Sequence, residues 1–118
     1  MINNSKDRIE KISFFLKKKN FNDAKFIIDQ LILEQPTNVD FLNILGVIYL
    51  EQNEFYKAER IFLNIKEKTS RNYNADYNLG LLNERLLNLN NSLKFYLAAY
   101  SIMDAKNYLI KKGIPIRI

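Results

Sequence analysis

A period of 34 residues runs through this chain, and few folds are compatible with it. Leu45-Gly46 reappears as Leu79-Gly80, an offset of 34. On the same offset Ala24 is followed by Ala58 and Ser92, Phe21 by Phe55 and Leu89, and Ile28 by Phe62 and Tyr96. Pro36, Ser70 and Asp104 fall in step. Self-similarity at one fixed period of about 20–50 residues marks stacked supersecondary units, each too small to bury its own apolar face.

Each unit has room for two helices. Gly46 sits inside the apolar run "FLNILGVIYL", although glycine costs a helix about 0.5–1 kcal/mol relative to alanine. The spacing explains it. Gly46 and Gly80 have no Cβ, so a second helix can approach closely, with Ala24, Ala58 and Ser92 as small residues on the opposing helix. Aromatic side chains are then expected to fill the wider space beyond the crossing. Helices are expected near 5–18, 21–34, 39–52, 55–68, 73–86 and 89–102. Asn53 stands where a left-handed turn residue is wanted. A short seventh helix over 105–112 is expected between Asp104 as N-cap and Gly113 as stop. The first repeat departs from the others, with Lys11-Ile12 in place of Leu-Gly. Its first helix keeps Ile9, Ile12 and Leu16 on one face, as a terminal capping helix would. The run over 39–52 is apolar nearly all round, which calls for neighbours on several sides.

These segments resemble the tetratricopeptide repeat family, whose unit is two antiparallel helices in about 34 residues. Leu42, Leu45, Gly46, Tyr49, Ala58 and Phe62 occupy the family's characteristic positions in one unit. Leu79, Gly80, Ser92, Tyr96 and Ala99 occupy them in the next. The resemblance implies an all-α fold: a right-handed superhelical stack of antiparallel helix pairs, an α-solenoid. The expected organisation is one domain over 1–118 with repeats 5–38, 39–72 and 73–106, a cap at 104–113 and a tail at 114–118.

Composition narrows the function. The chain has no Cys and no His, which removes disulfides, thiolate metal sites, Ser-His and Cys-His pairs and the commonest general base. Its three glycines, at 46, 80 and 113, cannot form a phosphate-cradling loop. The carboxylates, for example Asp76 and Glu84 or Glu51 and Glu54, stand at ordinary helix-surface spacings and read as solvated. The expectation is a non-enzymatic protein with no cofactor and no metal. No run approaches the roughly 20 apolar residues of a membrane span, and the charged first twenty residues do not read as a secretory signal. A cytoplasmic location follows as the default. The net charge of +5 is uneven: +4 over residues 1–25, −2 over 26–103 and +3 over 104–118. Asn, Ile and Lys are abundant together, a bias that A/T-rich codons alone would produce.

What remains is binding. In tetratricopeptide proteins the first helices line a concave face. Carried onto this sequence, the resemblance places Asn43, Val47, Asn74, Tyr77, Asn78, Leu81 and Arg85 in a partner-binding groove, with Ile9 and Ser13 nearby. Asn43, Asn74 and Asn78 would hydrogen-bond an extended or helical peptide while Tyr77 packs on its side chains. The positions that hold a C-terminal carboxylate in chaperone-binding relatives carry Ile9, Ser13, Ile44, Asn74 and Asn78, with no base among them, so that ligand is not expected. The expected function is an adaptor or scaffold, in a narrower form an assembly or secretion chaperone, with another protein as partner. The alternative is nucleic-acid binding through Lys17, Lys18, Lys19, Lys106, Lys111, Lys112 and Arg117. The apolar tail "GIPIRI" would either cap the last helices or mediate self-association.

Overall fold

A computed structural model describes residues 5–69 and 71–102. The described residues form six α-helices and no strand: α1 (Ser5–Lys17), α2 (Phe21–Glu34), α3 (Val39–Glu51), α4 (Phe55–Lys68), α5 (Tyr73–Arg85) and α6 (Leu89–Ile102). The expected helices agree with these to within a residue. The expected cap and tail lie outside the described residues. The chain divides into two compact units, Met1–Ile61 and Phe62–Ile118, and the division falls within α4.

The period seen in the sequence is repeated in the backbone. α1, α3 and α5 begin 34 residues apart, as do α2, α4 and α6. The turns inside the pairs match in detail. Lys19, Asn53 and Leu87 adopt the left-handed conformation, with φ of 60°, 63° and 62°. After each, the next N–H reaches back to close the helix: Asn20 to the Phe15 carbonyl, Glu54 to Tyr49 and Asn88 to Asn83, all at 2.8 Å. The left-handed residues themselves donate to Leu16, Leu50 and Glu84, all at 3.0 Å. This is the Schellman arrangement, which satisfies carbonyls that a helix end would otherwise leave open. Between pairs, Asn38 Oδ1 accepts the N–H of Phe41 at 3.1 Å. Asn72 Oδ1 accepts that of Ala75 at 2.8 Å. Asparagine is favoured at both kinds of position because its short amide caps an N-terminus and tolerates positive φ.

Leucine has no such tolerance. Leu87 is 82% exposed, so its side chain contributes little packing to offset the left-handed backbone. Leu87→Gly is expected to raise the urea midpoint by an amount equivalent to about 1 kcal/mol. An unchanged or lower midpoint would mean that Leu87 makes a contact worth as much as the strain.

In the first unit α2 packs against both α1 and α3. Its core is Ile12, Ala24, Ile28, Leu31, Phe41 and Ile48, flanked by half-buried Ile9, Phe15, Leu16, Ile27, Ile32, Ile44 and Leu45. The residues with the 3.6-residue period of α1 and α2 are therefore the ones that meet. Arg8 donates two hydrogen bonds to Glu34, both at 2.9 Å, joining the start of α1 to the end of α2. The Arg8 hydrogen bond holds the Glu34 carboxyl below its ordinary range. Along α3 every residue from Phe41 to Leu50 is buried or half-buried, as its all-round apolar character requires.

In the second unit α5 packs closely on α6. Ala75, Leu79, Leu82 and Ala99 are fully buried, as are Phe62 and Ile65 from the second half of α4. Gly80 lies at this contact. Ser92 donates its hydroxyl to the Gly80 carbonyl at 3.0 Å. A Cβ built on Gly80 would stand 2.6 Å from two ring carbons of Tyr96. The aromatic was expected beyond the crossing. Instead its ring lies directly on the glycine and occupies the space that the missing Cβ leaves.

Candidate functional site

The period places Asn74, Tyr77, Asn78, Leu81 and Arg85 along one strip of α5, at the three- and four-residue steps of a single helix face. Their exposure differs. Asn74 and Arg85 are exposed, Tyr77 and Leu81 half-buried and Asn78 buried. In the first unit Asn43 and Val47 are one turn apart on α3, Asn43 buried and Val47 half-buried. Of the three asparagines assigned to a peptide, Asn74 alone presents an exposed amide.

Tyr77 belongs to a run of three aromatic rings. It stacks with Tyr73 at 5.9 Å between centroids and 24° between planes. On its other side it meets Tyr96 of α6 at 5.6 Å and 52°. Tyrosines at positions four apart on a helix are neighbours, and Tyr96 is brought in by the α5–α6 contact at Gly80. The Tyr96 hydroxyl donates to Glu84 Oε1 at 2.7 Å. Tyr77 therefore supports internal packing as well as offering a surface, and Tyr77→Ala with Asn78→Ala would disturb the fold of this unit along with any binding.

Burial, and then the hydrogen bond to the negatively charged Glu84, push the Tyr96 phenol well above its ordinary pKa. The neutral phenol is thus favoured in the folded state. That stabilisation is fully present below about pH 10, where an unfolded tyrosine ionises, and is lost as pH rises beyond it. Among the seven tyrosines, Tyr96 is expected to ionise last in an absorbance titration at alkaline pH. Tyr96→Phe is expected to delete that final step. A native titration with all tyrosines ionising near pH 10 would contradict this environment.

One carboxylate was misjudged from sequence. Asp76 is 1% exposed rather than solvated. Its Oδ1 accepts from Lys66 Nζ at 2.6 Å across the α4–α5 turn, and its Oδ2 is buried with no hydrogen-bond partner. The Lys66 ammonium also lies 6.0 Å from the centre of the Phe95 ring. Asn83 was missed as well. It is buried, and its amide donates to the Leu79 carbonyl one turn back at 2.8 Å. Position gave a signal for Asp76, since it lies between Ala75 and Leu79 on the side of α5 that the repeat buries. Charge obscured it.

No protein-family model matches the chain, and no curated protein matches it in sequence. Among the described residues no cluster of three or more carboxylates could hold a metal ion. No described helix is long and apolar enough to cross a membrane.

Proposed function

We propose that this chain is a small tetratricopeptide-type repeat protein without catalytic activity, an adaptor that holds a segment of another protein. The observation that supports this reading is the recurrence of backbone detail at 34 residues: the helix starts, the left-handed residues Lys19, Asn53 and Leu87, and the capping Asn38 and Asn72. Helix pairs of that period stack into a right-handed α-solenoid with a concave face made by the first helices. In this reading Asn43, Val47, Asn74, Tyr77, Asn78, Leu81 and Arg85 line that face. The exposed Asn74 and Arg85 hydrogen-bond the partner, and the Tyr73–Tyr77 surface packs on its side chains. The lack of His and Cys suits a protein that binds rather than reacts. An assembly or secretion chaperone working in the cytoplasm is the narrower form.

The test is affinity capture at physiological salt with the native chain beside Asn74→Ala/Arg85→Ala, whose exposed positions leave the fold intact by circular dichroism. A protein retained after nuclease treatment and lost by the variant supports the groove. Capture that ignores the variant overturns it. Capture that disappears with nuclease, or weakens steeply between low and physiological salt, indicates nucleic acid held by Lys17–Lys19 and the basic C-terminal residues instead.

A further inference from the structure

The last described helix leaves a stripe of leucines uncovered. Leu89, Leu93 and Leu97 follow at four-residue steps on α6 and are 64%, 58% and 59% exposed. Lys94 is the one charged residue of that helix. At the corresponding positions α2 carries Phe21, Lys25 and Asp29, all half-buried. There α3 lies on α2, and Tyr49 of α3 is within electrostatic reach of Lys25. Where a further helix follows, this face is partly covered and tolerates charge. Where none is described, it is leucine.

We propose that residues 107–118 fold back along α6 and cover this stripe, as α3 lies on α2. Three features of the chain favour that occupant. The first is spacing. α2 ends at Glu34 and α3 begins at Val39, while α4 ends at Lys68 and α5 begins at Tyr73. The same step from Ile102 starts the next element at Asn107. The second is chemistry. Tyr108, Leu109, Ile110, Ile114, Ile116 and Ile118 give this segment an apolar side, with Lys111, Lys112 and Arg117 left for solvent. The third is reach. Residues 107–113 as helix span about 10 Å and the last five residues extended add about 17 Å. Together they cover α6, whose 14 residues run about 21 Å. The covalent tether also supplies an effective concentration in the millimolar range, which favours the chain's own segment over a second copy. This inference stands independently of the partner-binding reading.

Hydrogen exchange of the full chain tests it, comparing the native sequence with Leu93→Lys/Leu97→Lys over a hundredfold range of about 1–100 μM. In the native chain the amides of 107–118 are expected to exchange at least about tenfold slower than in a free peptide, at every concentration. The variant is expected to lose that protection while keeping its helical circular dichroism. If the variant loses helical signal, the milder Leu93→Ser/Leu97→Ser carries the same comparison. Free-peptide rates in the native chain overturn the proposal, as does protection that survives both variants. Protection that grows with concentration, together with a doubled mass in light scattering, overturns it in favour of a second copy.

Discussion

Lys66→Met is expected to destabilise the second unit by about 3 kcal/mol in urea denaturation. Asp76 is the reason. Its carboxylate is buried to 1% exposure, with Oδ1 held by Lys66 at 2.6 Å and Oδ2 without a hydrogen-bond partner. Removing the ammonium leaves a buried negative charge with neither solvent nor counter-ion. Methionine keeps the apolar stem beside Phe95, so the loss reports the charge and not the packing. The second variant is the informative one. Replacing both partners, as Lys66→Met/Asp76→Leu, should recover most of the loss, because an apolar pair of similar volume replaces a buried ion pair at little cost. If the double variant is as unstable as Lys66→Met alone, the pair is not what the substitution disturbs.

The Gly80 contact makes the other large prediction. Alanine improves helix propensity by about 1 kcal/mol, and on an open helix face Gly80→Ala would stabilise. Here the new methyl would lie 2.6 Å from Cδ1 and Cε1 and 3.0 Å from Cγ of Tyr96. These atoms belong to a rigid ring that is stacked on Tyr77 and tied to Glu84 through its hydroxyl. The ring has little freedom to yield. We expect a net loss of about 2 kcal/mol in thermal or urea unfolding, in the range of core overpacking. In a Tyr96→Ala background the sign should reverse, since the methyl then enters vacated space and the propensity gain remains. A double-mutant cycle measures that reversal as a coupling energy. Additivity of the two substitutions would remove Tyr96 from the argument.

The helices were legible because the 34-residue period locates six of them at once, and the apolar run over 39–52 announced a helix covered on all sides. Asn53 could be assigned to a left-handed turn because asparagine is a residue that accepts one. Lys19 and Leu87 could not, although they hold the same backbone, since neither side chain signals it. The candidate site was legible only as a strip. Its positions on α5 follow from helix geometry, but exposure depends on what packs above each residue. Asn78 is buried and Asn74 is not, one turn apart. The abundance of asparagine concealed three separate uses: capping at Asn38 and Asn72, turning at Asn53 and internal bonding at Asn83. Asp76 was misplaced because a carboxylate reads as surface until its lysine partner, ten residues away across a turn, is seen.

The three intra-pair turns share one set of backbone bonds, with the same lengths, around lysine, asparagine and leucine. Their shape is therefore written in main-chain groups that every residue except proline possesses, and the side chain at the bend is nearly interchangeable. Such joints can drift through many substitutions and stay the same joint. A chain assembled from them can lose the outward marks of its ancestry while keeping its geometry, and a comparison of sequences then finds no match where the architecture still repeats.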